Sequence, residues 1–212
     1  MTNATILAAI APGASMEETV AGIKAYKFGD STAPLKGVEN LVGESLGDAN
    51  ARKAIAAALT ALLASDASRG AKIFACRQLV MCGGPENVPA LAALLTNIDT
   101  SNMARIALER IPGSEADAAL LDALGKADAK SKIGIVNSLG ARKAASATSA
   151  IAPLLKSKDP LLADSAAAAL GHIGGADAVK ALKGRVAKSA RATAANALIE
   201  CTEQAKAAGK TA

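Results

Sequence analysis

Four copies of one short pattern constrain this chain more tightly than its size does. Leu79–Val80–Met81–Cys82–Gly83–Gly84, Leu108–Glu109–Arg110–Ile111–Pro112–Gly113, Val136–Asn137–Ser138–Leu139–Gly140–Ala141 and Leu170–Gly171–His172–Ile173–Gly174–Gly175 each close an apolar helical stretch with helix-stopping residues. A new amphipathic stretch follows each copy. Aligned on their last residues, 84, 113, 141 and 175, the copies lie 29, 28 and 34 residues apart, inside the range of roughly 20–50 residues that marks stacked repeats. One helix pair of this kind cannot bury its own apolar face, so neighbouring pairs must stack.

The register before each stop shows what the repeat is for. Ala75, Gln78, Leu79 and Cys82 fall at i, i+3, i+4 and i+7, the positions that share one helix face. So do Ala104, Ala107, Leu108 and Ile111; Lys132, Ile135, Val136 and Leu139; and Ala166, Ala169, Leu170 and Ile173. A fifth set, Ala194, Ala197, Leu198 and Cys201, continues the series. Small residues in the upper turn and larger aliphatics in the lower one predict helices that wedge apart at one end and curve the stack. Partner helices are predicted over 85–95, 114–124, 144–155 and 176–186, with entry chemistry at Pro85–Glu86, Ser114–Glu115 and Asp159–Pro160. A further pair is predicted over 32–46 and 50–65. Ser15 has capping-box spacing to Glu18, and its helix should stop near Phe28–Gly29–Asp30. The expected organisation is one domain: N-terminal capping helices at 1–31, helical repeats at 32–189, a capping helix at 190–208 and a frayed tail at 209–212.

Composition supports the helical reading. Alanine occupies 54 of 212 positions, and it combines the best helix propensity with a side chain small enough for helices to approach closely. Aromatic residues number three, Tyr26, Phe28 and Phe74. Cys76 and Cys82 face different ways on one predicted helix and cannot bridge, so with Cys201 they read as small core residues in a reduced setting. Residues 1–15 lack a basic start and a long apolar run, which predicts no secretory leader. No apolar stretch reaches the ~20 residues of a membrane span. A cytoplasmic protein is the expectation, although an exported chain with its leader removed would read the same.

The short repeat, the Ala–Leu–Gly–His–Ile–Gly–Gly string at 169–175 and the Val–Pro–Ala–Leu–Ala–Ala–Leu–Leu string at 88–95 resemble HEAT repeats. They are most similar to the compact bacterial variety named after phycobilisome lyases. The resemblance covers residues 32–200. It implies an all-α, armadillo-like solenoid, a right-handed α-α superhelix of about 11–13 helices, used as a scaffold that binds protein through its concave face.

Catalytic readings within that resemblance fare poorly. Deoxyhypusine hydroxylases of this fold need several His–Glu pairs, and His172 is the single histidine, followed by Ile173. Alkylpurine glycosylases need an aromatic cleft for base capture, and three aromatics without tryptophan do not supply one. A bilin lyase or another enzyme accessory is an alternative that no residue specifically supports. Zinc held by Cys76, Cys82, Cys201 and His172 would need four scattered positions to converge without a C-x-x-C element. The glycine turns lack the Lys–Ser/Thr ending of a phosphate loop, and with one histidine no serine or cysteine has an evident base. His172, in a helix-terminating turn, is expected to meet free carbonyls there. No catalytic residue, metal or cofactor is therefore assigned.

What remains is surface. Arg77, Arg105, Glu109, Arg110 and Asn137 on the second helices, with Arg142 just after a repeat turn, are the candidate partner contacts, and Lys143 beside it goes with the other patch. Arg77 and Arg105 have a competing role in bonding carbonyls and carboxylates such as Glu109 within the stack. Net charge is −3 over residues 1–125 and +8 over 126–212. The basic set Lys180, Lys183, Arg185, Lys188 and Arg191 is thus the second candidate patch, for nucleic-acid phosphates. A protein or peptide ligand is the leading expectation and nucleic acid the runner-up.

Overall fold

The computed structural model describes residues 15–209. The leader reading, apart from Ser15, residues 1–14 of the N-terminal cap and the last three tail residues therefore lie outside the described residues. Within them the fold is all-α, with twelve α-helices, short 3₁₀ turns and no strand. The chain divides into two compact units, residues 1–113 and 114–212.

The first unit holds α1 (Met16–Ala21), α2 (Ala33–Ser45), α3 (Ala49–Ala64), α4 (Arg69–Cys82), α5 (Val88–Ala92) and α6 (Ser101–Arg110). Ser15 caps α1 through the expected box, its hydroxyl accepting from the Glu18 N–H while the Glu18 carboxylate accepts from the Ser15 N–H. The helix does not reach Phe28, because at Gly22 the backbone tightens and carries Ile23, which is fully buried, into the core. Asp48 and Ser68 cap α3 and α4, meeting the orphan N–H groups of the first turn. α3 packs on α4 and α4 on α6, with Ile55, Leu59, Leu79 and Leu108 between them and all but removed from solvent.

The second unit holds α7 (Ser114–Lys126), α8 (Ala129–Ala141), α9 (Thr148–Ile151), α10 (Pro160–Ile173), α11 (Gly175–Leu182) and α12 (Arg191–Ala207). Helices α8, α10 and α12 pack side by side in one row, while α7, α9 and α11 flank it. The row helices α8, α10 and α12, with α4 and α6, carry the five registers read from sequence. Most members of those registers are buried; Gln78, Lys132, Ile173 and Leu198 are only half-buried at the edges. Asp159 caps α10, its carboxylate accepting from the Leu161 and Leu162 N–H groups.

Two expected helices are broken. Over 85–95 a 3₁₀ turn, Pro85–Asn87, leads into the five residues of α5. The buried Asn87 side chain holds that turn: its carbonyl accepts from the Gly84 N–H at 2.7 Å and its amide donates to Thr60 Oγ1 at 2.8 Å. Over 144–155 only the four residues of α9 are α-helical, followed by a 3₁₀ stretch, Ala152–Lys156. Pro153 lacks the N–H that would bond the carbonyl four residues back, and its ring crowds that carbonyl. The helix expected over 176–186 likewise ends at Leu182.

Two of the repeat glycines are not helix stops. Gly140 and Gly171 lie inside α8 and α10, buried. A Cβ on Gly140 would sit 2.7 Å from Ala169 Cα, and one on Gly171 would sit 2.8 Å from Ala197 Cβ. They are the points where α8 meets α10 and α10 meets α12. The turns come later, at Gly174 with φ 68° and at Lys143 with φ 53°, both in the left-handed region.

Candidate docking clefts

In the first unit the loop after α1 is pinned to the start of α4. The Ser68 N–H donates to the Lys24 carbonyl at 2.9 Å, and the Ser68 hydroxyl donates to the Tyr26 carbonyl. Gly70 leaves room for this approach, since a Cβ there would meet the Tyr26 carbonyl oxygen at 2.7 Å. The loop thereby sets Tyr26 and Phe28 beside Phe74 of α4, and all three aromatic side chains of the chain line one cleft of about 500 Å³. Thr32 just before α2, Leu35, Lys36 and Glu39 of α2, and Arg77 and Gln78 of α4 complete its lining.

Tyr26 and Phe28 stack edge to face with centroids 6.2 Å apart, and the Arg69 guanidinium lies 5.9 Å over the Phe28 ring. Phe28 nonetheless keeps 58% of its surface in water. Arg69 is paired with Asp99 at 3.2 Å and Lys36 with Glu39 at 3.2 Å. The Arg77 side chain is exposed and has no bonding partner among the described residues, so the cleft lining holds one uncommitted cation and one exposed ring.

The other sequence candidates divide by what already holds them. Arg105 donates to Glu109 Oε1 at 2.7 Å and to Asn102 Oδ1 at 2.7 Å, within α6. Arg142, whose side chain is only 8% exposed, donates through Nε to Asp117 and ties the end of α8 to α7. Arg110 and Asn137 are exposed on α6 and α8. Arg105 and Glu109 are thus engaged with each other in the first unit, and Arg142 with Asp117 in the second.

The basic candidates of the second unit are all exposed. Arg185 sits where two clefts adjoin. One, of about 490 Å³, runs between Pro153, Lys156, Asp177 and Lys180; the other, of about 320 Å³, runs between Val186, Arg191 and Leu198. Lys156 was not foreseen in this patch. It arrives because the Ala187 N–H donates to the Leu155 carbonyl at 2.8 Å and draws the loop after α11 onto the end of the 3₁₀ stretch. Lys183 and Lys188 stand outside both clefts.

His172 lies in the last helical turn of α10, its Nε2 3.9 Å from Glu200 Oε2, and does not cap the helix end. Gln204 of α12 does so instead, its amide donating to the Gly171 carbonyl at 3.1 Å. The three cysteines are buried free thiols. Loss of hydration pushes Cys76 up to about 12 and Cys82 up to about 11, and it raises Cys201 as well. Among the described residues no cluster of His, Cys, Asp and Glu is placed to hold a metal, and no helix is long and apolar enough to cross a membrane.

Residues 117–201 match the family described as HEAT repeats. The match spans α7 to α12, the unit in which α8, α10 and α12 form their row. No curated protein matches the chain. HEAT repeats generally serve as protein-interaction scaffolds, and their all-helical fold is typically non-catalytic. Residues 117–201 are thus similar to HEAT repeats, and the described residues of both units have an all-α, HEAT-like repeat fold.

Proposed function

We propose that the chain is a non-catalytic docking module that holds a peptide segment of a protein partner in the aromatic cleft of its first unit. The observation that carries this reading is the placement of every aromatic side chain around one cleft that the uncommitted Arg77 also lines. An exposed ring, Phe28, and an unpaired cation in one cleft suit a segment with an apolar side chain next to a carboxylate. The ring supplies area at little conformational cost, and the guanidinium supplies direction. Arg77 is the sequence candidate on which the reading rests. Arg110 is a second exposed cation of the same unit, outside the cleft lining.

Affinity capture from the cells that make the protein tests this reading. Wild-type chain should recover a partner after nuclease treatment, and Phe28→Ser with Arg77→Glu should lose it while keeping the helical circular dichroism of the wild type. Equal recovery by the variant would remove the cleft from the account. Recovery that disappears with nuclease would favour a nucleic-acid ligand.

A further inference from the structure

The second unit presents a surface of different chemistry. Lys156, Lys180, Arg185 and Arg191 line the two adjoining clefts, and none of them has an ion-pair partner among the described residues. Asp177 is the one carboxylate in the lining. Between the cations the clefts are apolar, with Pro153, Leu155, Leu182, Val186 and Leu198 in their walls and floors. This unit has no aromatic residue at all.

We propose that the two clefts sharing Arg185 form one docking site for an acidic segment of a protein partner, whose carboxylates meet Lys156, Lys180, Arg185 and Arg191 and whose aliphatic side chains enter the apolar floors. Charge complementarity selects an anionic ligand, since four unpaired cations face one carboxylate. The floors then separate the classes of anion. A sugar–phosphate backbone needs cations alone and would leave the apolar walls uncovered, and single-stranded bases need aromatic platforms that this unit lacks. A segment alternating Asp or Glu with Leu or Ile uses both features. The site shares with the aromatic cleft only the premise that the ligand is protein. It occupies the other unit, so either can fail alone.

Fluorescence anisotropy on the purified full chain, with synthetic probes, tests the site without a known partner. The probe is a labelled peptide of about 16 residues built from repeats of Asp-Leu-Glu-Glu, in roughly 150 mM salt. It should bind about tenfold more tightly than the same peptide with Ser replacing Leu, and more tightly than duplex or single-stranded DNA of matched charge. Arg185→Glu with Arg191→Glu should weaken it about tenfold or more. Lys130→Glu with Lys206→Glu makes the same change of net charge outside both clefts and should weaken it less than about threefold. Lys156→Gln with Lys180→Gln removes two exposed, unbonded cations and gives a second reading if the arginine variant loses its helical signal. Equal binding of the Ser peptide, tighter binding of DNA, equal loss in the control variant, or no binding at all would each overturn the proposal. Peptide binding that persists while affinity capture fails would sink the aromatic-cleft reading and leave this one standing.

Discussion

Gly140→Ala sets two physical effects against each other, and the packing of α8 on α10 decides the sign. Inside a helix, alanine is favoured over glycine by about 1 kcal/mol. Propensity alone therefore makes the variant more stable. The new Cβ, however, would lie 2.7 Å from Ala169 Cα and 2.9 Å from Ala169 Cβ. The nearest of these atoms is backbone and cannot rotate away, so α8 and α10 must separate by roughly 1 Å to restore ordinary contact. That separation loosens the row in which Val136, Leu139, Ala166 and Leu170 are buried. Overpacking of this kind costs about 3 kcal/mol, the upper end of its usual range. A net loss of about 2 kcal/mol follows, and at roughly 2–4 °C per kcal/mol for a chain of this size Tm should fall by about 4–8 °C. Gly125→Ala in α7, where a Cβ meets nothing within 4 Å, is the matched control and should gain up to about 1 kcal/mol. Urea and thermal melts followed by circular dichroism measure both. A Gly140→Ala protein that melts at or above the wild-type temperature would refute the close-contact reasoning.

Three further outcomes are expected. Lys143 closes α8 in the left-handed region at φ 53°, where a side chain costs about 1–2 kcal/mol that glycine avoids, less the greater unfolded-state freedom of glycine; Lys143→Gly should raise stability by about 0.5–1 kcal/mol in a urea melt. Asp117→Ala should lower it by about 1.5–3 kcal/mol, because Arg142 keeps only 8% of its side chain exposed and loses its carboxylate partner. With folded values of about 12 and about 11 for Cys76 and Cys82 against roughly 8.5 unfolded, both thiols should resist an aromatic disulfide reagent at neutral pH until the chain unfolds. The same raised values make their stabilisation fully present below about pH 8.5, and it is lost as pH rises from there toward 11 and 12. A native chain that reacts at once, or a urea midpoint flat across that alkaline range, would contradict the burial.

The repeat and its core were legible because they depend on spacing within single helices. Leu79, Leu108, Val136 and Leu170 declare their face through neighbours three and four residues away. Glycine is less informative. Gly140 and Gly171 looked like Gly174 in sequence, since a residue chosen for a close helix crossing and one chosen for a left-handed turn are the same residue. Only Ala169 and Ala197, each some two dozen residues or more along the chain, tell them apart. The stretch at 144–155 misled for a similar reason: Ile151, Leu154 and Leu155 satisfy a 3₁₀ turn as well as an α-helix, and Pro153 decides between them. The clefts were legible least. Tyr26 and Phe74 come to one cleft through a loop bonded to Ser68 and seated on Gly70, and Lys156 joins Arg185 through the Ala187 to Leu155 hydrogen bond. None of these contacts leaves a local pattern.

The most direct test of the docking account is photo-crosslinking from position 28 in living cells, with position 81 as the comparison. Phe28 lines the aromatic cleft, whereas Met81 is equally exposed but lies outside its lining. A photoreactive residue at 28 should capture a discrete protein adduct that vanishes when Arg77→Glu is added, and one at 81 should not. Adducts of equal yield at both positions, or none at 28, would contradict the claim that this chain works by holding a partner in that cleft.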